Sequence, residues 1–127
     1  MYLDTDVLLA LLKAGDWLQT AAREATFDEP KTSIITAAEI QLVMFESWSR
    51  SELAEVCESI EDEGVEIVPL TVEGFEAGSE LLTTYPALNV FDAIHVGHAR
   101  TLDEPLVSTD TLYPEIAEID HLDPREL

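Results

Sequence analysis

Four acidic residues stand beside apolar runs, where a strand would end or a helix would begin: Asp4, Glu39, Asp92 and Asp110. An ionised carboxylate next to a buried strand is costly to desolvate unless an opposite charge compensates it. Carboxylates gathered in one place also repel, which raises the pKa of at least one of them. Such oxygen-rich sites suit Mg²⁺, which polarises phosphoryl oxygens and aligns attack on a phosphodiester.

Three of these acids also have a purely structural interpretation. Thr36-x-x-Glu39 matches a helix capping box, and Asn89-x-x-Asp92 places an acid in a first helical turn. Asp110 belongs to a residue type that commonly opens turns. Taken together they favour a site, because a parallel sheet gathers residues from strand ends, whereas most other acids of the chain fall on predicted helix faces.

The elements that must position these acids alternate between strands and helices. The predicted strands are Tyr2–Thr5, Thr32–Ile35, Val65–Pro69 and Leu106–Ser108, with Ile119–His121 as a candidate edge strand. The predicted helices run from Asp6 or Val7 to Ala14 and over Trp17–Ala25, Ala37–Trp48, Glu52–Glu63, Val72–Thr84, Val90–Leu102 and Tyr113–Ala117. This alternation predicts an α/β fold with a mainly parallel sheet of four to five strands.

Local signals set the helix ends. Gly15 is expected to end the first helix, and Asp16 to cap a second helix that buries Trp17. Thr36 is the predicted N-cap of the third helix, and Asn89 that of the helix that carries Asp92.

Composition indicates one domain, residues 1–127, with 46% hydrophobic residues and therefore a real core. No apolar run approaches the ~20 residues of a membrane helix, and no signal-peptide pattern is visible at the start. The one cysteine, Cys57, excludes an internal disulfide and fits a reducing compartment. We therefore expect a cytoplasmic protein with no membrane association.

Charge is the unusual property of the chain. Six basic residues against 27 acidic ones give a net charge of −21. A surface of this kind repels nucleic acid at low salt, so either its partners are basic or it works in concentrated salt, where charges are screened. Because the acids are spread along most of the chain, we favour the second explanation, and the surface resembles that of proteins from salt-accumulating halophiles.

The sequence around the four acids resembles PIN-domain ribonucleases, and most of all the VapC-like toxins of type II toxin–antitoxin pairs. The resemblance rests on DTDVLLALL, TAAEI, NVFDAIHVGHA and LVSTD, in that order and spacing, and extends from Tyr2 to about Ile119. It implies a three-layer α/β/α fold and a metal-dependent endoribonuclease. The sequence departs from the family at Leu112 and Tyr113, where another Asp and an aromatic residue are frequent.

The resemblance also implies roles for individual residues and partners. The catalytic acids would hold Mg²⁺ or Mn²⁺: Asp4, Asp92 and Asp110 directly or through water, and Glu39 as a ligand or by holding a water, with Asp6 and Thr109 as peripheral contributors. The implied partners are an RNA substrate, a second copy of the chain in a homodimer, and an antitoxin whose C-terminal segment brings Arg or Lys to the acidic pocket.

Parts of the sequence also resemble other kinds of site. Asp92, His95 and His98 are spaced by three, whereas helix-borne zinc sites use His at i and i+4, so we predict that His95 packs beside the site and His98 packs or lies on the surface. Asp4-Thr5-Asp6 resembles the phosphatase motif DxDx[TV], but Leu8 stands at its fifth position. A ribosomal-RNA processing nuclease and a non-catalytic PIN-fold binding module stay open as alternatives.

Overall fold

A computed structural model describes residues 1–127, which form one five-stranded sheet with all strands parallel. The strands are β1 (Tyr2–Leu3), β2 (Lys31–Ser33), β3 (Glu66–Val68), β4 (Leu106–Val107) and β5 (His121–Leu122). Their order across the sheet is β3-β2-β1-β4-β5, so β1 is central. The predicted α/β class and the parallel sheet are confirmed.

Seven α-helices connect and cover the strands. They are α1 (Thr5–Leu12), α2 (Gln19–Glu24), α3 (Ile34–Met44), α4 (Arg50–Ala54), α5 (Val56–Asp62), α6 (Val72–Leu81) and α7 (Val90–Thr101). Two short 3₁₀ helices follow, at Tyr113–Glu115 and Pro124–Glu126. None of the helices combines the length and the apolarity that crossing a bilayer requires.

Successive residues of the central strands point to opposite faces of the sheet, and this alternation separates two cores. Leu3 and Val107 pack with residues of α1, α3 and α5 on one face. Tyr2 and Leu106 pack with residues of α6 and α7 on the other face. The result is the three-layer α/β/α arrangement.

The two helices of the second face are in backbone contact. A Cβ added to Gly97 would overlap the backbone of Gly74 and Gly78, and one added to Gly78 would overlap the carbonyl of Ala93. Only glycine allows this approach, so α7 is held firmly against α6. This packing fixes the start of α7, where Asp92 lies.

The third helix begins earlier than predicted, and Thr36 is not its cap. Ser33 caps α3, with its Oγ accepting a hydrogen bond from the Ile35 N–H at 3.2 Å. Thr36 is buried inside the helix, where its hydroxyl accepts a hydrogen bond from Thr32 Oγ1 at 2.8 Å. The capping-box interpretation of Glu39 is therefore wrong, and its side chain serves another purpose.

Other boundaries also differ from the prediction. Residues 52–63 form parts of two helices, because the chain breaks at Glu55 between α4 and α5. Trp17 lies outside α2 and is 71% exposed, so it is not part of the buried face. The edge strand is His121–Leu122 instead of Ile119–His121.

The strand order creates a switch point beside β1. From β1 the chain moves outward through β2 and β3, and then returns to place β4 on the other side of β1. In open α/β sheets, sites form in the crevice beyond the carboxyl ends of the strands at such a point. Asp4 follows β1 and Asp110 follows β4, so both lie at this crevice.

Candidate active site

An open cleft of about 390 Å³ lies beyond the carboxyl ends of β1 and β4. Eight of its ten lining residues are polar or acidic, and the full set is Asp4, Thr5, Asp6, Leu9, Glu39, Val43, Asp92, Ser108, Thr109 and Asp110. The structure therefore brings together all four acids singled out in the sequence, along with both peripheral residues. No Lys or Arg lines this cleft, so its carboxylates have no permanent positive charge beside them.

Asp4 is the most buried of these acids, with 6% of its surface exposed. It is the N-cap of α1, and its Oδ1 accepts a hydrogen bond from the Thr5 N–H at 2.8 Å. Burial raises the pKa of Asp4 to about 6; His95 opposes this rise, while the neighbouring Asp6 and Glu39 carboxylates add to it. Such a shift in a cleft is typical of functional carboxylates.

Glu39 projects from α3 into the same cleft. Its Oε1 accepts hydrogen bonds from Thr5 Oγ1 and from His95 Nε2, the latter at 2.7 Å. Burial alone would raise the pKa of Glu39, but the hydrogen bonds from His95 and Thr5 outweigh it and lower the pKa. Glu39 is thus held ionised and in one orientation.

His95 lies one helical turn after Asp92 on α7 and has no exposed surface. Its Nδ1 is 2.7 Å from the Tyr2 hydroxyl, and its Nε2 is 3.5 Å from Asp4 Oδ1 as well as bonded to Glu39. Burial opposes protonation, yet the Asp4 and Glu39 carboxylates raise the pKa of His95. The ring is packed beside the site as predicted, but its contact with Glu39 was not predicted.

Asp92 lies in the first turn of α7, as predicted. Asn89 caps this helix by accepting a hydrogen bond from the Asp92 N–H at 2.9 Å. Asp92 Oδ1 accepts a hydrogen bond from the Tyr113 hydroxyl at 3.0 Å. Burial and the charge of Asp110 raise the pKa of Asp92, while the Tyr113 bond partly offsets them. Tyr113, noted only as a departure from the family pattern, therefore orients a carboxylate of the site.

The loop after β4 carries the last acid. Asp110 is exposed, and its Oδ1 accepts a hydrogen bond from the Leu112 N–H at 2.9 Å, so the residue does open a turn as its structural interpretation holds. Asp6 ties this loop to α1, because its Oδ2 accepts from Thr109 N at 2.8 Å and Thr109 Oγ1 at 2.6 Å. The other oxygen, Asp6 Oδ1, is buried and has no hydrogen-bond partner.

All five carboxylates share one pattern of hydrogen bonding. In each, one oxygen accepts a bond from a protein donor and the other accepts none: Asp4, Asp6, Glu39, Asp92 and Asp110. The donors fix the side chains, and the remaining oxygens of Asp4, Glu39, Asp92 and Asp110 stay available for a ligand, whereas that of Asp6 is buried. Donors that orient ligating carboxylates in this way are a regular feature of metal sites.

The donor set fits a hard divalent cation that keeps part of its water shell. Carboxylate oxygens are the ligands that Mg²⁺ prefers, and Mg²⁺ is usually held by a few carboxylates plus water and substrate phosphate. No three Asp, Glu, His or Cys side chains are placed to hold a metal ion by themselves, and an ion in the cleft would therefore also need oxygen ligands from water or substrate. His98, part of the zinc pattern considered above, is buried against the Tyr2 ring, with the ring centroids 5.7 Å apart.

Three supporting side chains were missed by the sequence analysis: Thr5, Tyr2 and Tyr113. Thr5 is adjacent to Asp4, and its hydroxyl donates a hydrogen bond to Glu39, which lies 34 residues later in the chain. Nothing local in the sequence indicates these contacts, because each one crosses between separate elements. For His95, in contrast, the sequence did contain a signal: its spacing of three from Asp92 places both residues on one side of α7.

Comparison with known proteins identifies the fold. A model of the PIN domain family matches residues 1–119, whereas a search of curated proteins found no match. The chain is similar to a toxin–antitoxin complex from Klebsiella pneumoniae, with 19% identity over 97% of this chain and 96% of that chain and a TM-score of 0.73. FitAcB from Neisseria gonorrhoeae gives 18% identity, 99% coverage of both chains and a TM-score of 0.72.

A third similar structure is VapBC2 from Rickettsia felis bound to a DNA fragment from their promoter. It is 18% identical over 96% of both chains, with a TM-score of 0.70. At these identities the solved structures show a common fold. Together with the family model that covers residues 1–119, they lead to one conclusion: the chain belongs to the PIN domain family.

Proposed function

We propose that this protein is a metal-dependent endoribonuclease and the toxin of a type II toxin–antitoxin pair. The observation that carries the proposal is the cleft at the switch point, where five carboxylates each keep one oxygen free of protein hydrogen bonds. PIN domains are generally nucleases, which agrees with this chemistry. The similar solved structures include toxin–antitoxin complexes, which supports the toxin assignment.

In this proposal, the free oxygens of Asp4, Asp92 and Asp110 hold Mg²⁺ or Mn²⁺, directly or through water. When bound, the cation polarises a phosphoryl oxygen of RNA and lowers the pKa of a water. Glu39 Oε2 either ligates the ion or accepts a hydrogen bond from the attacking water, and the lowered pKa of Glu39 keeps it ionised for this purpose. Asp6 and Thr109 hold the loop that carries Asp110.

A cation is also what lets a polyanion approach this cleft. The chain carries six Lys and Arg residues in all, and none of them lines the pocket. Phosphate contacts in most nucleic-acid-binding proteins come from Arg and Lys. Here the carboxylates supply no attraction for RNA unless they first bind a divalent ion.

The proposed partners are a second copy of the chain and an antitoxin. An antitoxin segment that carries Arg or Lys would place its positive charge among the carboxylates and block the cleft. Apolar residues continue outward from the cleft along the end of α3 and its C-cap, where Leu42, Val43 and Phe45 are 66%, 56% and 52% exposed. Val43 also lines the cleft, so a segment with apolar and basic residues would contact both surfaces.

A cleavage assay with a matched control tests the proposal. We expect the purified protein to cleave RNA when Mg²⁺ or Mn²⁺ is present and to stop when EDTA is added. Asp92→Asn should reduce the rate about 10³-fold, because several kcal/mol of metal-assisted stabilisation are lost. Asp62→Asn makes the same chemical change at an exposed position of α5 and should cleave like the wild type.

The comparison of the wild type with Asp92→Asn also reveals contaminating nucleases, which would cleave RNA equally in both preparations. Equal cleavage by the wild type and by Asp92→Asn would contradict the proposal. Cleavage that is unaffected by EDTA would contradict the metal dependence specifically.

A further inference from the structure

One buried ring connects three of the elements that form the cleft. His95 on α7 contacts Tyr2 in β1 through Nδ1 and Glu39 on α3 through Nε2, both at 2.7 Å. We propose that His95, oriented by Tyr2, is a positioning residue that holds Glu39 with one oxygen facing the cleft. This inference rests on the nuclease proposed above.

The direction of each hydrogen bond follows from what each group can do. An ionised carboxylate only accepts, so the Nε2–H of His95 donates to Glu39 Oε1. In the neutral ring Nδ1 then accepts, and the Tyr2 hydroxyl donates to it. In the neutral ring, Tyr2 therefore selects the tautomer in which Nε2 carries the proton and donates a hydrogen bond to Glu39.

The second donor on Glu39 explains why one oxygen stays free. Thr5 Oγ1 donates to the same Oε1 that His95 contacts, and Oε2 accepts no hydrogen bond from the protein. With both donors on one oxygen, rotation of the carboxylate would break two bonds. The arrangement thus fixes which oxygen of Glu39 faces the ligand.

Burial makes the interaction hard to replace. His95 and Tyr2 have no exposed surface, so water does not reach the nitrogens of the ring. If the ring were removed, Thr5 alone would hold Glu39, and the carboxylate would rotate about its own bonds. Loss of a residue that orients a metal ligand typically costs 10–100-fold in metal affinity or activity.

Three variants test the inference: His95→Ala, His95→Gln and Tyr2→Phe. The Gln side-chain amide can donate from nearly the position of Nε2, whereas Ala has no donor. Tyr2→Phe keeps the ring volume and removes only the hydroxyl. Each variant is measured for Mn²⁺ affinity by calorimetry, for steady-state cleavage over a range of RNA concentrations, and for thermal unfolding as a check on folding.

We expect His95→Ala to weaken Mn²⁺ binding about 10–100-fold and to lower kcat similarly, with little change in KM for RNA. His95→Gln should recover most of the Mn²⁺ affinity, and Tyr2→Phe should lie between the wild type and Ala. If His95→Ala fails to fold, the Mn²⁺ affinities of His95→Gln and Tyr2→Phe test the inference, because both variants preserve the buried volume more closely.

Two different failures can be told apart. If the wild type binds Mn²⁺ and cleaves RNA but the folded variants bind Mn²⁺ equally well, the positioning role is wrong and the nuclease stands. Equal losses in Ala and Gln would also overturn it, because a donor at that position would then be irrelevant. A wild type that neither binds Mn²⁺ nor cleaves RNA would overturn both proposals.

Discussion

The two ends of the sheet treat acidic side chains in opposite ways. At the amino end, Glu104 is paired with two cations: Lys31, and the N-terminal ammonium of Met1 at 2.7 Å. At the carboxyl end, the acids of the cleft have no Lys or Arg partner, and His95 is the only ring within ion-pair distance of Asp4 and Glu39. Two of the few positive charges therefore stabilise the amino end of the sheet, whereas no Lys or Arg lies in the cleft.

The pKa values of Glu104 and Asp4 differ in the same sense. The Lys31 hydrogen bond and the N-terminal ammonium lower the pKa of Glu104, so its ionised form is stabilised by folding. Burial raises the pKa of Asp4 to about 6, so its ionised form is penalised by folding. An acid that costs stability when ionised and has no resident cation indicates a site that is completed by an external one.

The largest stability effect is expected at Asp4. Its pKa rises from 3.8 to about 6 on folding, so the metal-free protein should lose stability as pH rises through that interval and keep the full penalty above it. The rise corresponds to roughly 3 kcal/mol. Asp4→Asn retains an oxygen to cap α1 and removes the charge, so we expect it to be more stable than the wild type at neutral pH while failing to cleave RNA.

Urea unfolding in EDTA at several pH values measures this difference. The gain should vanish below the unfolded pKa, where Asp4 is protonated in both states. It should be greatest above the titration of His95, whose raised pKa means that its pairing with Asp4 stabilises the fold at low pH and is lost as pH rises through the folded value. A variant that is less stable than the wild type at every pH would show that the carboxylate is satisfied without a metal.

These contrasts also mark how far the sequence could lead. The four acids were found because each stands at the end of an element, and parallel strands bring such ends together. Thr36 was misassigned because two residues suited to capping, Ser33 and Thr36, lie three apart, and only the packing of Thr36 against Thr32 decides between them. The contact of His95 with Glu39 spans 56 residues, and no local pattern encodes it.

The helix pair α6 and α7 gives a similar lesson. Gly74 and Gly78 lie inside α6, where glycine costs roughly 1 kcal/mol relative to alanine. In the structure, Gly78 is what lets α7 approach closely enough to place Asp92 and His95 at the cleft. The local sequence shows this cost, whereas the contact that compensates it is tertiary.

A smaller effect of opposite sign is expected at the other end of the sheet. Glu104→Gln removes the charge that pairs with Lys31 and the N-terminal ammonium, and should cost about 1 kcal/mol at neutral pH, as partly exposed pairs do. Because the pKa of Glu104 is lowered on folding, this loss should shrink as pH falls through its folded value. RNA cleavage should be unchanged.

Thermal unfolding of Glu104→Gln beside Asp4→Asn thus gives a paired measurement: one variant less stable and active, the other more stable and inactive. If Glu104→Gln lost cleavage while remaining folded, the amino end of the sheet would be coupled to the cleft, and the division of charge described above would be wrong.

The smallest effect on stability per charged site is expected from added salt, which weakens both the attraction and the repulsion between charges over the whole molecule. Molar KCl reduces the screening length to about 3 Å, which weakens the Glu104 pair but also relieves the repulsion within a chain of net charge −21. Because repulsive acids far outnumber paired ones, we expect the melting temperature to rise by several degrees, or about 1 kcal/mol, between low and molar KCl. Mg²⁺-dependent cleavage should tolerate the same range, since the chain has only six Lys and Arg residues and counterion release should contribute little to RNA binding. Melting temperature and cleavage rate at fixed Mg²⁺, measured across the KCl series, check both expectations. A steady decline of both would mean that the acidic surface is an adaptation to a basic partner instead of to concentrated salt, and the antitoxin would then be the first candidate for that partner.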